Sequence, residues 1–169
     1  MRRTLMLASL TTLALNLASS GGTAPLRSDT SRAALVSLGR EYSDLQHWAV
    51  AIAEATDTLE SAEHARVLAH HLAGVMGPLE KGFENTTAAL STSQLEQILP
   101  LWERMVFAHA GFALLQERAS TLGVDPALHP SELHDLAHEL SVVLEFAAQI
   151  QQLALAKLLT PAPVPTRLT

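Results

Sequence analysis

Along most of the chain, apolar side chains recur in alternating steps of three and four residues, the spacing that gives a helix one stripe to bury against its neighbours. The first such run is Leu35, Leu38, Tyr42, Leu45, Ala49, Ile52, Thr56 and Leu59, and it predicts a helix beginning near Asp29 or Ser31. A break rich in capping residue types, Asp57 to Ser61, separates it from a second run through Ala65, Leu68, Leu72, Val75, Leu79 and Gly82-Phe83. Gly77-Pro78 interrupts that stripe. Proline removes a backbone donor and crowds the preceding turn, so the second helix is expected to be kinked or split at Pro78.

Ser91 to Ser93 form a second capping region, in which Ser93 with Glu96 fits a capping box. The third stripe follows through Leu95, Ile98, Trp102, Met105, His109, Phe112, Gln116 and Ala119, bent early by Pro100 and ended by Gly123 as a left-handed cap. After a loop from Val124 to Pro130, Ser131 is expected to cap a fourth helix carrying Leu133, Ala137, Leu140, Leu144, Ala147, Gln151, Ala154 and Leu158. Four long helices with short connections predict an all-α, antiparallel up-down-up-down four-helix bundle, with five helices as the rival count if Pro78 splits the second.

The ends of the chain read differently. Met1-Arg2-Arg3, the apolar run from Leu5 to Leu17 and the small residues after it have the layout of a cleavable export signal, and the run is too short for the roughly 20 residues a spanning helix needs. The expected organisation is a signal over 1–20 cleaved after Ser20, a flexible lead-in over 21–28, the bundle over 29–159 and a proline-rich tail over 160–169. Arg2-Arg3 lacks the rest of a twin-arginine motif. The expected location is the periplasm or the outside of the cell.

Composition narrows the chemistry. The absence of cysteine removes a cysteine-linked lipid anchor, c-type haem and disulfides, so packing alone must hold the bundle. Loss of Arg2 and Arg3 would leave 9 of the 11 basic residues against 17 acidic ones, a net charge near −8 instead of −6. That balance disfavours nucleic acid and anionic lipid as partners, and no stable membrane anchor is expected once the signal is gone. No nucleophile stands in a strained turn, no phosphate loop follows a strand and paired inward carboxylates are lacking, so no catalytic residue is assigned.

Histidine is the one enriched polar residue, with eight copies. His134 and His138 lie one turn apart, a spacing that can grip zinc or copper, but both project away from the stripe of the fourth helix and should face solvent. Dimetal carboxylate bundles need a glutamate with a histidine three residues later, and no glutamate here has one. His109 is different, for it falls on the seam in a layer with Tyr42, Met76 and Met105 and with His71 at its flank. Thioether and imidazole facing each other would suit copper(I) or haem b. The simpler expectation is that the methionines fill core gaps and that His109 hydrogen-bonds to Tyr42 or a backbone carbonyl.

Two further features bear on binding. Pro78, Pro100, Gly74, Gly77 and Gly82 fall at similar heights, where either a gap lined by Phe83, Trp102 and Met76 would accept a small apolar ligand or the glycines admit a neighbouring helix and the aromatics fill the space. Leu101, Phe107, Leu114 and Val142 lie outside the strict seams, giving the third and fourth helices more apolar surface than a monomer needs to bury. The expectation is therefore a non-enzymatic exported bundle acting on a protein partner or by self-association, with a metal, haem or apolar-ligand carrier as the alternative.

Overall fold

The computed structural model describes residues 24–59 and 61–160, with side chains from residue 29 onward. The expected signal, the first part of the lead-in and nearly all of the proline-rich tail lie outside these residues. Four helices account for the fold: α1 (Ala24–Thr56), α2 (Ala62–Ala89), α3 (Thr92–Val124) and α4 (Pro130–Leu159). At 1.5 Å per residue, lengths of 28 to 33 residues correspond to rods of about 42 to 50 Å. Each packs on its chain neighbours and α4 closes the ring against α1, so α1 and α3 face each other diagonally across the core. The result is the antiparallel four-helix bundle that the apolar spacing predicts.

The four stripes supply the core. Leu35, Leu38, Tyr42 and Ala49 on α1 and Leu133, Ala137, Leu140, Leu144, Ala147 and Ala154 on α4 are fully buried. On α2 the buried line is shifted: Ala65, Ala69, Leu72, Ala73 and Met76 face inward, while Leu68 and Val75 pack at its margin. Alanine at three of those positions leaves room for the larger side chains of α1 and α3 to reach the centre.

Neither proline splits a helix. Pro78 and the residue four before it, Gly74, are both exposed on α2, and Pro100 and Glu96 are both exposed on α3. Each proline therefore frees a carbonyl that water can satisfy, and the helices run on. Among the described residues the count is therefore four.

Helix ends depart from the sequence reading in several places. α1 is already helical at Ala24, ahead of the expected start. The capping box of α3 is Ser91 with Gln94, not Ser93 with Glu96. Gln94 also lies 3.0 Å from the hydroxyl of buried Ser31, whose Oγ donates to Ala89 O at 2.6 Å, so α1 reinforces both the end of α2 and the start of α3. Gly123 is not a left-handed cap: α3 continues through it to Val124 and is capped by Asp125 with φ −74°. A Cβ at Gly123 would meet the His70 backbone at 3.2 Å, so this glycine serves close approach of α2. At the start of α4, His129 takes the cap position and Pro130 the first turn, which displaces Ser131 from the capping role.

Gly39 has a role of the same kind on the α1–α4 seam. The Gln151 amide lies over it and donates to Leu35 O at 2.6 Å, and a Cβ on Gly39 would sit 2.8 Å from the Gln151 side-chain carbon. Gly74, by contrast, has nothing within 4 Å of the position its Cβ would take. Both are helical, so alanine gains up to about 1 kcal/mol of propensity at either. Gly74→Ala should therefore raise Tm by about 2–4 °C, whereas Gly39→Ala should lower it because forcing the buried amide off its carbonyl costs about 1–3 kcal/mol. Thermal melts of the two variants check the opposite signs.

Candidate functional site

The core is not wholly apolar. Tyr42 from α1 reaches across the bundle and places its hydroxyl 3.1 Å from Met105 Sδ and 2.6 Å from His109 Nε2 on α3. The phenol carries one proton. When it points at the sulfur, Nε2 must carry the ring proton and donate to the phenol oxygen. Met105 and Tyr42 are fully buried, Met76 is nearly so, and His109 is partly covered. The ring of Phe83 stacks on His109 at 3.8 Å and on Trp102 at 5.1 Å, and Phe112 meets the imidazole edge-on at 5.1 Å. Aromatic rings thus fill the level at which the prolines and glycines predict a gap. His71 does not flank this layer; it lies at the α1–α2 surface with its ring 4.9 Å from that of Trp48.

This layer favours neutral groups. Burial holds the His109 imidazole down to about 3, so it is uncharged at neutral pH. Burial, and then the Glu41 charge, push the Tyr42 phenol far above its usual range. Sδ and Nε2, the two donor atoms that a soft metal would use, both contact the same hydroxyl, so an ion between them would have to displace it.

Among the described residues, Glu41 is a charge that its surroundings satisfy poorly. Its side chain lies against Gly82, where a Cβ would collide with the carboxylate, and its buried Oε2 finds no hydrogen-bond partner. Burial raises its pKa accordingly.

The histidine pair on α4 separates. His138 is exposed, as expected. His134 is half-buried, because the end of α1 reaches over it: Nδ1 lies 3.0 Å from Ala53 O and 3.1 Å from Thr56 Oγ1, with the Asp57 carboxylate at 3.7 Å. Ala53 O is among the last carbonyls of α1 and already accepts from Thr56 Oγ1 at 2.6 Å, so His134 joins a local hydrogen-bond cluster that ties the start of α4 to the end of α1. Helical angles alone miss this contact because it comes from a neighbouring element. Among the described residues, no group of three or more His, Asp or Glu side chains is arranged to hold a metal ion.

The other distinctive surface is the outer face of α3 and α4. Phe107 is 78% exposed and Leu114 70%, and across the groove on α4 Val142 is 53%, Phe146 46% and Leu153 57% exposed. Phe107 and Leu114 are two turns apart on one line of α3, as Phe146 and Leu153 are on α4. The packing of Gly111 beside Val143 and the ion pair between Arg118 and Glu139 at 3.1 Å fix the two lines at the same height. Leu101 does not belong here, since it packs against the core. Both helices are long and apolar enough to cross a membrane by length and composition, a test that core helices of soluble bundles also pass.

The buried layer gives a pH dependence with two opposing parts. For His109 the unfolded chain takes up a proton near 6.5 that the fold accepts only near 3, so stability is lost as pH falls through that interval, by at most about 1.4 kcal/mol per pH unit. His109→Gln should flatten that slope in urea melts between pH 6.5 and 4. For Glu41 the raised pKa has the reverse sign, stability being lost as pH rises through it, so Glu41→Gln should raise Tm at pH 7 by about 1–3 °C.

In comparisons with known proteins, the chain matches no family model, no curated protein and no solved structure.

Proposed function

We propose that this chain is an exported, non-enzymatic helical bundle that works by binding another protein through the outer face of α3 and α4. The observation that carries the reading is the grouping of exposed Phe107, Leu114, Val142, Phe146 and Leu153 on the outer side of two neighbouring helices, whereas the other exposed apolar side chains, such as Val67 and Val124, are scattered over the bundle. Monomers seldom expose a contiguous apolar patch larger than about 300–600 Å² unless it is used. The acidic balance, 17 acidic against 11 basic residues, speaks for a protein partner over nucleic acid or anionic lipid. Export rests on the pattern of the first 20 residues, and the mature protein is expected to begin at Gly21 in the periplasm or outside the cell.

The second reading is a carrier in which Met105 and His109, with Met76 in the same core, hold copper or haem b, favoured by the convergence of Sδ and Nε2 on one point. Zinc or copper on His134 and His138 is its surface variant.

Two measurements separate these readings. A photocrosslinker at Phe107 in cells that export the protein should capture one defined partner, and Phe107→Asp with Leu114→Asp should abolish capture without loss of helicity. A Soret band or near-stoichiometric metal in the purified protein, lost in His109→Ala, would put the carrier reading first. Metal that survives His109→Ala and disappears in His134→Ala/His138→Ala would instead place the site on the surface.

A further inference from the structure

We infer that a pocket at the end of the bundle, where α1 begins and α4 finishes, binds a free aliphatic α-amino acid, held as its zwitterion between Asp29 and Arg32. The inference does not depend on the protein-binding reading above, since no residue of the exposed apolar patch lines this pocket.

The shape comes from three helix ends. A pocket of about 230 Å³, open on one side, is lined by Asp29 and Arg32 of α1, Gln94 of α3, and Leu155, Leu158 and Leu159 of α4. At about 30 Å³ per water-sized group, that volume holds roughly eight non-hydrogen atoms, the size of a branched aliphatic amino acid. The leucine wall is firmly backed, because Leu155 and Leu158 pack on the buried cluster that contains Leu35, Ile98 and Trp102.

Charge then selects the ligand. Asp29 and Arg32 stand three residues apart and so share one face of α1, with about 5–6 Å between their Cβ atoms. Both are exposed, and neither side chain forms an ion pair or a hydrogen bond within the described residues. Gln94 adds a donor. Its Oε1 is held by the cap of α3, accepting from the Ser91 N–H at 2.9 Å with the Ser31 and Ser91 hydroxyls each 3.0 Å away. Its Nε2 has no partner among the described residues, which leaves an oriented N–H donor on the pocket wall.

The lining therefore offers a carboxylate, a guanidinium, an amide donor and hydrocarbon within one small volume. A simple fatty acid would satisfy Arg32 and set its own carboxylate beside Asp29. An amine would satisfy Asp29 and meet the like charge of Arg32. An α-amino acid suits both, with its ammonium on Asp29, its carboxylate on Arg32 and Gln94 Nε2, and its side chain on the leucines. Its two charges cancel, as do those of Asp29 and Arg32.

The test is binding to the purified exported protein, followed by NMR through the side-chain amide of Gln94. Free leucine should shift that signal with a dissociation constant on the order of 0.1–1 mM, as befits a small ligand in a site open to water. 4-Methylpentanoate, which lacks the ammonium, and 3-methylbutylamine, which lacks the carboxylate, should each bind at least fivefold more weakly. Free glycine, which lacks the hydrocarbon, should leave the signal in place. Asp29→Asn should bring 4-methylpentanoate level with leucine, and Arg32→Gln should do the same for 3-methylbutylamine. Both side chains are exposed, so circular dichroism and Tm should barely change. A Gln94 amide that does not move in about 10 mM leucine overturns the inference. Equal binding of leucine and 4-methylpentanoate to the wild-type chain overturns it too, as does a leucine affinity that neither variant changes.

Discussion

The contact between α1 and α4 brings the two ends of the described chain together, and without it the bundle has no closed core. No disulfide helps, so the seam depends on packing and on two side chains that reach backbone carbonyls of α1. Near one end Gln151 donates to Leu35 O over Gly39, and at the other His134 approaches Ala53 O. Between them Leu38, Tyr42, Ala49, Leu140, Leu144 and Ala147 are fully buried. A sliding of α4 by one turn would bury comparable hydrocarbon, because the leucines and alanines repeat, but it would strand the Gln151 amide. A buried unpaired amide costs about 1–3 kcal/mol, enough to choose one register over its neighbours.

The Tyr42–His109 contact does similar work across the diagonal. α1 and α3 are the pair that the ring of helices keeps apart, and a hydroxyl 2.6 Å from an imidazole fixes their separation and relative height. Keeping this layer polar and uncharged is what allows it to sit in a core. Charging His109 would place an unpaired cation beside Phe83 and Phe112, which is why burial depresses its pKa so far. A charge that the packing tolerates poorly is Glu41, held against Gly82 at the edge of the same region.

Much of this is legible in the sequence. Steps of three and four give the four stripes, and matching their heights brings Tyr42, Met105 and His109 together and leaves Tyr42 or a backbone carbonyl as the partner of His109, of which the structure has Tyr42. What escapes such a reading depends on a neighbouring element. Ser91 with Gln94 and Ser93 with Glu96 are equally good boxes on paper, and Ser31 from α1 is the contact that favours Gln94. His134 projects away from its own stripe, yet the end of α1 turns it inward. Gly123 has the place of a helix terminator and the use of a spacer. The outer faces are harder still, since α4 exposes Phe146 and Leu153 while burying Ala147 and Ala154 immediately after them.

The same overlap explains why α3 and α4 satisfy a hydropathy test for membrane crossing. Only 33% and 28% of their most apolar windows are buried, so much of that hydropathy sits on the outside. The charges on the outer side of α3 are not spread evenly; they stand in opposed pairs at its two ends, Glu103-Arg104 and Glu117-Arg118, with the apolar stretch between them. A helix meant for lipid would gain from neutral residues there, since each charge at depth is costly. A helix meant to stay free in water would gain from a charge in place of Phe107.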